Sequence, residues 1–113
     1  MTTTSIGRQA ENSACSFLKD KGYQVLEQNW RTRYCEIDII AKKNQTIYFV
    51  EVKFRKSTDW GSGLDYITPK KVKQMKFAGE LWVLANKWQA DYSISAIEVS
   101  GLSFKITNFL AEI

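Results

Sequence analysis

Residues 36–53 read EIDIIAKKNQTIYFVEVK, and no other run constrains the fold as strongly. Two apolar, β-branched segments flank the polar KKNQT, which predicts strands over 34–41 and 46–54 joined by a tight turn. Yet these strands carry Glu36, Asp38, Glu51 and Lys53. Charged side chains are seldom fully buried unless they are paired or bind a metal. Strand side chains alternate faces, so Glu36 and Asp38 share one, as do Glu51 and Lys53. With Asn44-Gln45 as a two-residue turn, Asp38 falls opposite Glu51 and Glu36 opposite Lys53. A slip of two residues keeps all four on one face, and a slip of one does not. The other face carries Cys35, Ile37, Ile39 and Ala41 beside Tyr48, Val50, Val52 and Phe54. That uncharged face is expected to lie against a helix. The charged one holds only Ile40 and Phe49 besides its four ionisable groups.

Two opposed carboxylates, with Cβ atoms about 5 Å apart, repel unless something positive lies between them. A hard divalent cation suits the position, since magnesium takes oxygen ligands and keeps several waters. A lysine two residues from one ligand can orient or deprotonate water, or neutralise charge developing on a phosphate. The plainer reading is a salt-bridged pair on an exposed sheet, and an isolated E-x-K supports no more than that. The acidic residues on the partner strand favour a site.

Histidine is absent. That excludes Ser-His-Asp and Cys-His catalysis and any His-ligated zinc. Cys15 and Cys35 are too few for a Cys-only zinc site and read as small buried hydrophobes. Acid, base or metal chemistry therefore rests on carboxylates and lysines. Residues 53–76 hold seven basic side chains against Asp59 and Asp65. This imbalance suggests a polyanionic partner, although a solvated lysine-rich helix face has the same composition.

The length of 113 residues fits one domain over 1–113 with a real core. No uncharged run is long enough to span a membrane, and MTTTSIGRQAEN lacks the apolar centre of a secretory signal. A cytoplasmic protein with no membrane partner is expected. A helix is predicted over 6–21, capped by Thr4 or Ser5, with Ala10, Ala14, Phe17 and Leu18 on one stripe and Gly22 as its stop. A strand over 23–29 and a basic turn, WRTR, follow. Beyond the hairpin, KSTDWGSGLDYI reads as a loop, and Thr68-Pro69 opens a second helix. Its apolar stripe is wide: Val72, Met75, Phe77, Ala78, Leu81, Trp82 and Ala85. Strands over 91–99 and 103–109 complete an α-β-β-β-α-β-β order, an α/β arrangement with helices packed on a sheet.

Asp38 followed by Glu51-Val52-Lys53 on the next strand resembles the PD-(D/E)xK motif of restriction-endonuclease-like nucleases. More narrowly, the chain resembles the YraN-like family of small bacterial, nuclease-related proteins. The matching stretches are Gly7 through Glu11 and Ala14, GYQVLEQNWRTRYCEIDIIA, FVEVKFR, WGSG and TPKK. They span roughly residues 7–86. E-x-K alone is weak, but these stretches in this order are specific. Archaeal Holliday-junction resolvases are a more distant likeness.

The resemblance implies an αβββαβ core with a mixed sheet flanked by helices. It implies Asp38 and Glu51 as ligands of Mg2+ or Mn2+, the Val52 carbonyl as a third, and Lys53 as the catalytic lysine. Glu11 falls where related nucleases place a further acidic residue near the metal; its plainer reading is an exposed glutamate paired with Arg8. Glu36 either tunes Lys53, binds a second metal, or simply pairs with that lysine. Cys35 replaces the family's usual glycine. SISAIEVSG lacks the Arg-Phe-Asp segment common there, with Ser95 near the expected aspartate. Both departures leave room for altered activity.

Arg31, Arg33, Arg55, Lys70, Lys71 and Lys73 are candidate phosphate contacts. Trp60 could stack on a base, or more plainly cap a small cluster. No base-reading helix-turn-helix or zinc finger is evident, so structure-selective binding is expected. The leading expectation is a metal-dependent phosphodiesterase acting on DNA. Its rivals are a nucleic-acid-binding accessory of recombination or DNA uptake, and an adaptor docking through the basic helix. DNA against RNA stays open, as does oligomeric state, a homodimer included.

Overall fold

A computed structural model describes residues 2–56 and 64–113. Trp60 and the WGSG stretch lie outside the described residues. The elements are α1 (Thr3–Asp20), β1 (Gln24–Arg31), β2 (Glu36–Lys43), β3 (Thr46–Arg55), α2 (Pro69–Asn86), β4 (Asp91–Ser100) and β5 (Lys105–Leu110). This order contains the expected αβββαβ core. The strands form one five-stranded sheet in the order β1-β2-β3-β4-β5. The β3–β4 pair is parallel, bridged by α2, and the other pairs are antiparallel. The sheet is therefore mixed.

Local signals set most boundaries. Helix α1 starts earlier than expected, because Thr2 and not Thr4 or Ser5 is the cap: its hydroxyl accepts the Ser5 N–H at 3.0 Å. Gly22, at φ +92°, turns the chain out of α1 as a left-handed residue can. Thr68 caps α2 by accepting the Lys71 N–H at 3.2 Å, with Pro69 in the first turn. Asn44 (φ 56°) makes the hairpin turn, a left-handed position that asparagine tolerates.

The two faces of the sheet carry separate cores. Ala10, Ala14 and Leu18 of α1 pack over Ile39, Ala41, Val50, Ile97 and Val99. On the other face, Met75, Ala78 and Trp82 of α2 pack over Ile40, Ile47, Phe49 and Ile94. The Trp82 indole N–H donates to Glu27 Oε2 at 2.8 Å, which pins α2 to the β1 edge. A Cβ on Gly79 would meet the Phe49 ring at 2.6 Å, so this helix can approach the sheet only through a glycine.

This sandwich corrects one expectation. The charged face of the hairpin is not reserved for a site, because α2 covers Ile40, Ile47 and Phe49 on it. Strands buried on both faces read as nearly continuous apolar runs, and IIA and YFV are such runs. The stripe on α2 is also narrower than its sequence suggests. Phe77 and Ala85 are exposed, whereas Met75, Ala78, Gly79 and Trp82 are buried.

Candidate metal and phosphate site

The predicted turn register holds from Lys43↔Thr46 to Ile39↔Val50. There it stops. Beyond Ile39, β2 stays paired only with β1, through Ile37↔Trp30 and Glu36↔Arg31. The expected pairs Asp38–Glu51 and Glu36–Lys53 are therefore not formed as ladder partners. Left-handed Asn29 (φ 53°) lies on β1 between the pairs Gln28↔Ile39 and Trp30↔Ile37, and the strand pair changes face there. As a result Ile37 joins the α2 core and Cys35 packs against it, while Ile39 belongs to the α1 core. Simple alternation had placed all three together.

The parting of the strands makes the site. Asp38 Oδ2 accepts the Val52 N–H at 2.8 Å, so a side-chain carboxylate satisfies a β3 backbone group that has lost its strand neighbour. Burial, and then the charge of Glu51, push the Asp38 carboxyl up to about 7, against the single favourable bond from Val52. Glu11 and Glu36 add smaller repulsions. Asp38, Glu51 and Val52 thus lie near one another where the hairpin parts, without the expected ladder pairing.

Lys53 is exposed, with its Nζ 5.8 Å from the centre of the Tyr66 ring. Arg55 lies 5.9 Å from the same ring. The Tyr66 hydroxyl is buried without a hydrogen-bond partner among the described residues. Burial, followed by Glu51 and Asp38, holds its pKa well above the ordinary phenol range. Tyr66 went unnoticed in the sequence because a tyrosine at the end of a loop carries no distinguishing pattern.

The remaining acids flank this centre. Glu11 reaches it from α1 and hydrogen-bonds to Asn29. Burial raises its pKa, and its Oε1 has no partner among the described residues. Arg8, its candidate partner, lines the same cleft of about 350 Å3 together with Asn29 and Arg31. Glu36 is exposed and pairs with Arg31 at 3.1 Å, not with Lys53. Glu51 pairs with Lys71 of α2 at 2.9 Å. Glu36, Glu51 and Lys71 line a second cleft, of about 320 Å3, between the β1–β2 turn and α2.

The candidate phosphate contacts fall into two groups. Arg31 and Arg33 lie at the β1–β2 turn, and Lys70, Lys71 and Lys73 open α2. Arg33, Lys70 and Lys73 are exposed. Arg55 is drawn inward, its Nε donating to Glu98 Oε2 at 2.7 Å. Glu98 was also unforeseen. It lies among the apolar positions of AIEV, and its partners Thr107 and Asn108 come from β5.

The oxygen-only donor set matches a hard cation. The orphaned Glu11 Oε1 and the electrostatic crowding of Asp38 both favour added positive charge. Among the described residues, however, no three acidic or cysteine side chains are drawn close enough to hold an ion. The fit lies in the donors' chemistry, with Glu51 turned to Lys71.

A family model described as "Uncharacterised protein family UPF0102" matches residues 10–101, which include α1 from Ala10, the parted hairpin, α2 and β4. The chain belongs to this family. A UPF0102 protein of Magnetococcus marinus is 43% identical over 91 residues, covering 80% of this chain and 73% of the relative. One from Flavobacterium psychrophilum is 37% identical over 106 residues, 92% of this chain and 89% of the relative. One from Thermotoga maritima is 39% identical over 97 residues, 82% and 84%. The YraN-like resemblance is therefore family membership. The UPF0102 match ends before β5, although β5 supplies two of the partners of Glu98, Thr107 and Asn108. No helix among the described residues is long and apolar enough to cross a membrane.

Proposed function

We propose that this UPF0102 protein is a metal-dependent phosphodiesterase acting on DNA, with its centre at the parted end of the β2–β3 hairpin. The observation that carries this reading is the placement of the Asp38 carboxyl, which accepts the Val52 N–H at 2.8 Å where the strands part, in a buried position beside Glu51 that raises its pKa. Such a group is stabilised by added positive charge. Asp38, Glu51 and the Val52 carbonyl would hold Mg2+ or Mn2+. Bound there, the ion would supply Lewis-acid stabilisation of charge at the phosphate.

The protein's own groups do the rest. Lys53, kept at the edge by the Tyr66 ring, neutralises charge developing on the phosphate or orients the attacking water. Arg31, Arg33, Lys70 and Lys73 attract the backbone. Lys71 stands beside Glu51 as the resident cation. One observation favours the rival reading, a nucleic-acid-binding accessory without turnover: the Lys71–Glu51 pair already satisfies a required carboxylate.

The test uses purified protein with magnesium or manganese against linear, nicked, flapped and four-way DNA. Cleavage is expected in the wild type. Asp38→Asn should abolish it, which also excludes a contaminating nuclease, and Lys53→Ala should reduce it by about a hundredfold or more. Metal at a hundred times its Kd should stabilise the wild type by about 2.7 kcal/mol and leave Asp38→Asn unmoved. No cleavage together with no metal-induced rise in Tm overturns the proposal. DNA binding without either leaves the accessory reading in its place.

A further inference from the structure

The cleft beside Glu51 has a property that phosphate chemistry does not use. Tyr34 and Phe77 line it together with Glu36, Glu51 and Lys71. They are 72% and 49% exposed, among the most exposed large hydrophobic residues described. They come from different elements. Tyr34 stands on the β1–β2 turn, and Phe77 on the part of α2 turned away from the Met75–Ala78–Trp82 core.

Tyr34 is held in position. Thr32 Oγ1 accepts the N–H groups of Tyr34 and Cys35 at 3.0 and 3.2 Å, and the Thr32 N–H donates to the Cys35 carbonyl at 2.9 Å. This closed turn projects the ring outward, with the Arg33 guanidinium 5.5 Å from its centre. A single exposed aromatic needs no explanation. Two on one polar cleft, one of them on a pinned turn with a cation at its face, form a stacking platform.

We infer that Tyr34 and Phe77 bind unpaired bases, so that this cleft selects single-stranded or flapped nucleic acid over continuous duplex. The inference rests on the phosphodiesterase reading and names its substrate class. In a duplex the π-faces of the bases are already stacked on one another, and only unpaired nucleotides can offer them to Tyr34 and Phe77. The charges agree with this occupant. Glu36 and Glu51 are each neutralised by a cation, Arg31 and Lys71, while Arg33, Lys70 and Lys73 remain exposed for the phosphates. The cleft's volume of about 320 Å3 suits bases, not a folded domain.

The experiment is fluorescence anisotropy at low salt in EDTA, so that nothing is cut. The probes are a labelled single strand, its blunt duplex and the same duplex with a single-stranded flap. The wild type should prefer the single strand and the flap. Tyr34→Ala with Phe77→Ala should lose about tenfold per ring on these two probes and bind the blunt duplex as before. Tyr34→Trp with Phe77→Trp should retain the preference, because tryptophan also stacks. Equal affinity of the wild type for all three probes, or a uniform loss in the alanine variant, overturns the inference and leaves the phosphodiesterase reading standing. No binding to any probe overturns the inference, and the phosphodiesterase reading then rests on the cleavage and melting tests with metal.

Discussion

Glu98 on β4 and Asp38 on β2 are carboxylates of the same sheet, in opposite states. Glu98 is 3% exposed. It accepts hydrogen bonds from Thr107 at 2.6 Å, Asn108 at 3.0 Å and Arg55 at 2.7 Å. Burial pushes its pKa up, but those three bonds and the Arg55 charge outweigh it and hold the carboxyl below its ordinary value. Asp38 accepts a hydrogen bond from the Val52 N–H and faces Glu51, Glu11 and Glu36. Its carboxyl is held near 7. Burial alone thus does not mark a functional acid. What distinguishes Asp38 is the repulsion of neighbouring acids, which added positive charge would relieve.

The largest effect is expected where the partners are most complete. Glu98→Ala leaves Arg55, Thr107 and Asn108 without their acceptor and should cost about 3–4 kcal/mol, read as a urea midpoint shift. Asp38→Asn should cost nothing or stabilise, because it removes a repulsion. Equal losses in the two variants would break the contrast.

Next comes pH, where the signs are opposite. Asp38 has a folded pKa above its unfolded value, so its favourable contribution is complete below 3.8 and is lost as pH rises through about 7. At about 1.4 kcal/mol per unit, as much as about 4 kcal/mol should disappear over that window, and Asp38→Asn should flatten it. Glu98 is depressed, so its contribution is present above 4.5 and is lost as pH falls through its lower folded value. Melts across pH on the wild type, Asp38→Asn and Glu98→Gln separate the two. A wild-type profile that rises between 3.8 and 7 and is unchanged in Asp38→Asn would show that Asp38 is not held protonated.

The smallest effect sharpens the comparison at its edge. The Arg31–Glu36 pair has side chains 69% and 59% exposed, and breaking it by Arg31→Ala should cost no more than about 1 kcal/mol. Glu36→Gln should nonetheless lower the Asp38 pKa, because Glu36 is one of the charges raising it. An NMR titration of the Asp38 carboxyl measures this, and an unmoved value would confine the crowding to Glu51 and Glu11.

What is local could be read from the residues alone. Thr68-Pro69 opening α2, Gly22 closing α1, Asn44 turning the hairpin and the register down to Ile39↔Val50 all follow from backbone preferences and strand alternation. The association of Asp38 with Glu51-Val52-Lys53 was legible for the same reason: both halves of the motif lie within one hairpin. Where that hairpin opens depends on the folded chain. Left-handed Asn29 belongs to another strand, and the switch that sends Ile37 to one core and Ile39 to the other depends on it. Tertiary structure likewise covered the hairpin's charged face with α2, paired Glu51 with Lys71, and placed Tyr66 beneath Lys53 and Arg55. Glu98 shows the limit most plainly. Nothing in AIEV says that its carboxylate will be satisfied, because Arg55 lies 43 residues away and Thr107 lies across a strand pair. Hydrogen bonds and charge act through space, and only the folded chain brings those atoms within reach.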